Sequence, residues 1–194
     1  MRGGSSGGGT VSLAAGLATL STGTDTFGSI RLPAAMCGVY GLKPTYGLIS
    51  TYGIFPTAWS LDTAGPIARS VSDLAVMLHY MAGFDANDPA SLNIPISNYT
   101  ENLNKGIRGI KIGIPTYYLE GLDSDVEKLF QYAITILKNL GAEVKEIVIP
   151  ELTMSTFAGY ATVTGEASTF HYKWLQNFSV DYSPDIRTFF YLVH

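Results

Sequence analysis

Charge is scarce in this sequence. Only 14% of its 194 residues are Asp, Glu, Lys or Arg, where about 25% is usual for a soluble domain. That fits two pictures equally: a surface partly covered by more protein, or a large core with a plain surface. The 12 basic and 16 acidic residues give a formal net charge of −4 and form no block or stripe, which excludes a surface built for direct nucleic-acid binding. Cysteine is limited to Cys37, so there is no internal disulfide framework and a cytoplasmic location fits best. No apolar run reaches the roughly 18 residues of a membrane span, and no charged-then-apolar leader opens the chain. Histidine is limited to the scattered His79, His171 and His194, so the clustered His and Cys of a zinc site are missing. The glycine run 3–9 is not followed by the Lys-Ser or Lys-Thr of a phosphate-cradling loop. We therefore expect no cofactor, no metal and no membrane partner.

What is present is apolar patterning, 46% hydrophobic residues, enough for one domain with a real core. Thr10–Leu20 is rich in Ala, Leu and Val and predicts a short helix. Residues 23–31 read as a loop, and Pro33, Pro44, Gly47 and Gly53 punctuate the segments up to Pro66. A helix is predicted over Ser70–Ala82, capped by Ser70 with Asp73 three residues on and closed by Gly83. Residues 84–106 read as an exposed loop. A strand-helix-strand unit spans 107–149. It comprises a strand over Ile107–Ile114, a helix opened by a Ser124/Glu127 capping box and closed by Gly141, and a strand over Val144–Ile149. A further long helix runs from about Ser155 to Gln176. A strand-helix-strand crossover argues for an α/β sheet protein.

Serine chemistry is the reading that survives. Gly3-Gly4-Ser5-Ser6-Gly7 has the spacing of a nucleophile elbow, but almost nothing precedes it to form the required strand. His79 sits between the apolar Leu78 and Tyr80 of a helix, so a Ser-His-Asp enzyme fits poorly. Cys37 lies in the apolar stretch 34–39, where a cysteine acts as a small hydrophobe. Serines without a histidine need another base. A lysine kept neutral by desolvation can serve, with a second serine relaying the proton. Glycines beside such serines let backbone N–H groups approach a substrate oxygen.

Gly3-Gly4-Ser5-Ser6-Gly7-Gly8 followed by Gly23-Thr24-Asp25-Thr26-Phe27-Gly28-Ser29-Ile30-Arg31 resembles the amidase signature family. The resemblance continues through Pro33-Ala34-Ala35, Cys37-Gly38-Val39, Gly41-Leu42-Lys43-Pro44-Thr45, Gly47, Ser60-Leu61-Asp62 and Gly65-Pro66-Ile67-Ala68-Arg69-Ser70. It is dense over residues 3–83 and looser through 165–168 and 182–187. By composition alone the first nine residues also read as a flexible linker. The family's relay serine lies 24 residues before its nucleophile, however, and Ser5 plus 24 is Ser29.

The resemblance implies a set of roles. Ser29 is the nucleophile, and Ser5, entered by a cis peptide bond, bridges it to a lysine. Backbone N–H groups across Thr26, Phe27, Gly28 and Ser29 form the oxyanion hole. Ser6 hydrogen-bonds within the relay, Asp25 and Arg31 hold the loop, and Lys43 is structural. The implied fold is α/β, a mixed β-sheet core with helices on both faces. It is present over 1–194 as a partial domain lacking N- and C-terminal portions, with edges and apolar faces that favour self-association.

The sequence departs from the family at two places. Phe27 stands where the family usually has the first of two glycines. If that position needs positive φ, the hole is strained; if not, the ring lines the acyl pocket. The activating lysine belongs well upstream of the relay serine, and only Met1 and Arg2 precede Gly3. Three functions follow from the resemblance. The first is an amidase acting on a small-molecule carboxylic amide through an acyl-enzyme on Ser29. The second is the glutaminase component of a glutamyl-tRNA amidotransferase, releasing ammonia for partner subunits. The third is an inactive truncated remnant. Glu166-Ala167-Ser168, His171, Trp174 and Tyr182-Ser183-Pro184 look more like stand-alone amidases and favour the first.

Overall fold

Six consecutive residues, Thr63–Ala68, are all buried and form the middle strand of a three-stranded antiparallel sheet. This is strand β3 of the computed structural model, which describes residues 3–191. Its neighbours are β1 (Leu20–Asp25), in register from Leu20 opposite Ala68 to Asp25 opposite Thr63, and the short β2 (Tyr40–Gly41). Pro66 has no N–H to donate, but its carbonyl accepts from the Leu42 amide at 3.0 Å, so the strand stays paired where proline usually breaks pairing.

The chain divides into two compact units, residues 1–101 with 159–194, and residues 102–158. The first unit holds the sheet and the helices α1 (Gly7–Ala14), α2 (Arg31–Cys37) and α3 (Val71–Met81). Leu13, Ile30 and Ile67 are completely buried and lock α1, the segment before α2, and β3 together. A second cluster, Leu48, Ile49, Ala64 and Leu78, lies between β3 and α3. Ser70 caps α3 as predicted, its hydroxyl accepting from the Asp73 amide at 3.0 Å. Arg69 reaches back to the carbonyls of Leu13 and Ala18, satisfying acceptors at the end of α1.

The second unit contains β4 (Lys111–Pro115), α4 (Ser124–Asn139) and β5 (Glu143–Ile147), with β4 and β5 paired in parallel. This is the expected strand-helix-strand crossover. Asp123 rather than Ser124 caps α4, its carboxylate accepting from the Asp125 amide; the expected cap is one residue late. A long helix, α5, covers Leu152–Phe178, and its residues from Gly159 onward belong to the first unit. There Ala167 and Leu175 pack with Phe190 of the last helix, α6 (Pro184–Tyr191).

The fold is mixed α/β, as the sequence indicated, but three expectations along the chain are corrected. Helix α1 starts at Gly7, not Thr10, and ends at Ala14, because Leu20 already belongs to β1. The loop read over 23–31 is the end of β1, a turn at 26–30 and the start of α2. Strand β4 begins at Lys111 rather than Ile107, since residues around Gly109 turn.

Candidate active site

The site grows from the C-terminal end of β1 and the segment that leads into α1. At the end of the strand the chain winds around one carboxylate. Asp25 is completely buried and accepts from the amides of Gly28 (2.7 Å), Ile30 (3.2 Å) and Arg31 (3.3 Å). The Arg31 guanidinium closes the ring with two 2.9 Å bonds to the same carboxylate. Five donors on one anion fix the path of residues 25–31. Burial alone would raise the Asp25 carboxyl, but the Arg31 side chain, the Gly28 and Ile30 amides and the guanidinium charge outweigh it and hold it below its ordinary value. Hydrogen bonding to Asp25 likewise raises Arg31.

Within that turn Gly28 adopts φ 125°, and among the described residues no non-glycine has positive φ. The left-handed position therefore falls on Gly28 and not on Phe27, so the Phe27 backbone is unstrained and its ring is free to pack. The Gly28 amide is committed to Asp25, which removes it from the expected oxyanion donors. The amides of Thr26, Phe27 and Ser29 make no hydrogen bond among the described residues. The Thr26 hydroxyl donates to Asp62 at 2.5 Å, and the same Asp62 carboxylate accepts from the Thr57 and Ala58 amides. Asp62 thus ties the turn to the 57–62 loop.

The relay segment comes from the other side. The Gly4–Ser5 peptide bond is cis, and α1 begins two residues after Ser5. The Ser6 amide donates to the Ser29 carbonyl at 3.1 Å, and the Ser6 hydroxyl donates to the Thr24 carbonyl at 3.2 Å. Ser6 therefore stitches the segment to β1 and the turn, and its hydroxyl is spent on backbone rather than on a relay. Ser5 is exposed and Ser29 half-buried. Ser5, Ser6, Thr24, Tyr52 and Met81 line an open cavity of about 540 Å³. No hydrogen bond joins the Ser5 and Ser29 hydroxyls among the described residues.

Helix α5 supplies contacts that the sequence did not signal. The Glu166 carboxylate accepts from the Ser60 amide at 2.9 Å and from its hydroxyl at 2.5 Å. Buried His171 places Nε2 2.8 Å from the Pro56 carbonyl and Nδ1 2.8 Å from the Tyr182 hydroxyl. A carbonyl only accepts, so Nε2 carries the proton and Nδ1 is left to accept from Tyr182. The Phe27 ring lies against Gly159 and meets Tyr160 edge to face at 5.6 Å. Of the remaining candidates, Lys43 donates to the Pro44 carbonyl, and His79 is exposed beside the Ser97 carbonyl. Cys37 is partly exposed at the end of α2. His194 lies outside the described residues. Among those residues no three His, Cys, Asp or Glu side chains group around a common point, and no helix is long and apolar enough to cross a membrane.

The chain belongs to the amidase family. The Amidase family model matches residues 1–190. The A subunit of the glutamyl-tRNA(Gln) amidotransferase from Geobacter sp. (strain M21) is 47% identical over 167 residues, covering 86% of this chain and 34% of the relative. The crystal structure of the corresponding protein from Thermotoga maritima superimposes with a TM-score of 0.83 at 33% identity, over 98% of this chain and 43% of that one. The native peptide amidase from Stenotrophomonas maltophilia superimposes with a TM-score of 0.74 at 39% identity, over 88% of this chain and 36% of that one. The chain spans about a third of the length of the curated relatives it matches.

Proposed function

We propose that the site hydrolyses a carboxylic amide through an acyl-enzyme on Ser29. The observation that supports this reading is the bond from the Ser6 amide to the Ser29 carbonyl, which ties the segment holding the cis-linked Ser5 to the turn that carries Ser29. Ser29 Oγ attacks the amide carbonyl carbon. Its proton passes to Ser5, and the Ser5 proton passes to a lysine. The carbonyl oxygen, now an anion, is met by the amides of Thr26, Phe27 and Ser29. One such donor is typically worth about 3 kcal/mol to the transition state. When the C–N bond breaks, Ser5 delivers a proton to the departing nitrogen, which leaves as ammonia or an amine. Water then attacks the ester on Ser29 and releases the acid. Asp25, Arg31 and Asp62 touch no reacting atom in this scheme; they hold the turn.

The base is a lysine that the family resemblance places upstream of Ser5. Lys43 does not fill the role, since its amine serves the Pro44 carbonyl. Ammonia release from simple carboxylic amides by purified full-length protein tests the reading. Ser29→Ala should reduce kcat by about 10³-fold or more. Full turnover by Ser29→Ala would contradict it.

A second reading is favoured by the curated relatives, which are named as the A subunit of glutamyl-tRNA(Gln) amidotransferase. The same chemistry would then release ammonia from glutamine for partner subunits. Co-purification of stoichiometric partner subunits, with glutamine as the preferred amide, would select it over a stand-alone amidase.

A further inference from the structure

Phe27 stands two residues before the proposed nucleophile and carries a ring that its backbone does not require. The positive φ of the turn falls on Gly28, so side-chain contact, not conformation, accounts for what the Phe27 ring does. The ring lies on helix α5 where that helix has no side chain: a Cβ built on Gly159 would run into Cε2 and Cζ of Phe27. Tyr160, the next residue, meets it edge to face, with centroids 5.6 Å apart and planes at 69°, the arrangement that aromatic quadrupoles favour. Despite these contacts Phe27 remains 49% exposed and Tyr160 55% exposed. Two half-exposed rings packed edge to face at the turn that carries Ser29 form an apolar surface of the kind that lines ligand sites.

We propose that Phe27 and Tyr160, seated on Gly159, form the acyl-side wall of the site and select amides with an aromatic or extended apolar acyl group. This rests on the amide-hydrolysis reading above. Ser5 must reach the departing nitrogen, so the leaving group lies toward the cavity that Ser5 and Ser6 line, and Phe27 does not line that cavity. The acyl substituent points away from the leaving group and meets the rings. The wall is anchored through α5, which grips the 56–60 segment by Glu166 on Ser60 and His171 on Pro56. A small polar acyl chain, such as that of glutamine, leaves the rings unpaired and loses its own hydration against them.

The test is kcat/KM of the full-length protein for phenylacetamide, hexanamide, acetamide and glutamine, read as ammonia release, with Ser29→Ala as background. Phenylacetamide and hexanamide should exceed acetamide and glutamine by about tenfold or more. In Phe27→Gly the ratio of phenylacetamide to acetamide should fall roughly tenfold. Tyr160→Leu, which keeps the helix surface but removes the ring, should lower the same ratio and reads the wall independently. Ratios unchanged in both variants, or glutamine as the best substrate of the wild type, would overturn the wall. Absence of Ser29-dependent turnover with any of the four amides would overturn the underlying hydrolase reading instead.

Discussion

The Ser6 amide donates to the Ser29 carbonyl across 3.1 Å. This bond ties the segment before α1, which includes Ser5, to the turn after β1 that carries Ser29. The Ser6 hydroxyl adds a second stitch, to the Thr24 carbonyl. Ser6→Ala should cost about 1 kcal/mol of stability in urea unfolding, the worth of one side-chain hydrogen bond. Ser5→Ala, an exposed position, should leave the unfolding midpoint almost unchanged while suppressing acylation of Ser29. Equal effects of both variants on both readouts would contradict this division of labour.

Asp25 gives the site a defined acid limit. Its carboxyl is lowered in the folded state, so its contribution to stability is fully present above the ordinary aspartate pKa of about 4. That contribution is lost as pH falls through the lower folded value. Asp25→Asn should destabilise by about 1–3 kcal/mol at neutral pH, because an amide cannot accept from all the amide donors that converge on this buried position. It should also flatten the loss of stability as pH falls below about 4. Denaturant titrations of both proteins across that range check the sign.

Much of this was legible from the serines outward. The amphipathic α3 and α4 are local signals, and they survive into the structure; the cis bond before Ser5, which the family resemblance implied, is present as well. Strand β3 was not legible, because Gly65-Pro66 reads as a turn until neighbouring strands cover it on both sides. Strand β1, with Gly23 between threonines, has no period-two apolar pattern. Helix α1 begins inside Gly7-Gly8-Gly9, where intrinsic propensity is unfavourable by about 1 kcal/mol per glycine; packing of Leu13 in the core overrides it. Asp62, Glu166 and His171 were invisible as site supports because their partners are distant. Ser60 and Glu166 are 106 residues apart, and no spacing rule reaches that far.

Thr26 and Asp62 form the second brace on the turn. Asp62→Ala removes the acceptor for Thr26 and strands the Thr57 and Ala58 amides, so it should cost about 2–3 kcal/mol. Thr26→Val keeps the shape, loses one bond and should cost about 1 kcal/mol. Thermal unfolding of the two variants gives this order; a larger loss in Thr26→Val would contradict it.

Gly28 carries the left-handed turn at φ 125°. Gly28→Ala should destabilise by roughly 1–3 kcal/mol and displace the Ser29 backbone. In activity it should resemble loss of the nucleophile, while far-UV circular dichroism stays native. Normal turnover by Gly28→Ala would show that the turn tolerates another path.

Exposed apolar side chains are numerous, among them Leu17, Tyr80, Leu129 and Val180. Surfaces of this kind promote association. Sedimentation velocity of the 194-residue chain should show mass increasing with concentration over the micromolar range. A single monomeric species throughout would contradict the expectation.

The central claim is that Ser29 is a nucleophile set beside Ser5. The most direct measurement is labelling of full-length protein with a fluorophosphonate probe, with the modified residue located by mass spectrometry. Wild type, Ser29→Ala and Ser5→Ala should be compared. The account predicts a single adduct on Ser29, absent in Ser29→Ala and at least about tenfold slower to form in Ser5→Ala. An adduct on another residue, or undiminished labelling of Ser29→Ala, would contradict it.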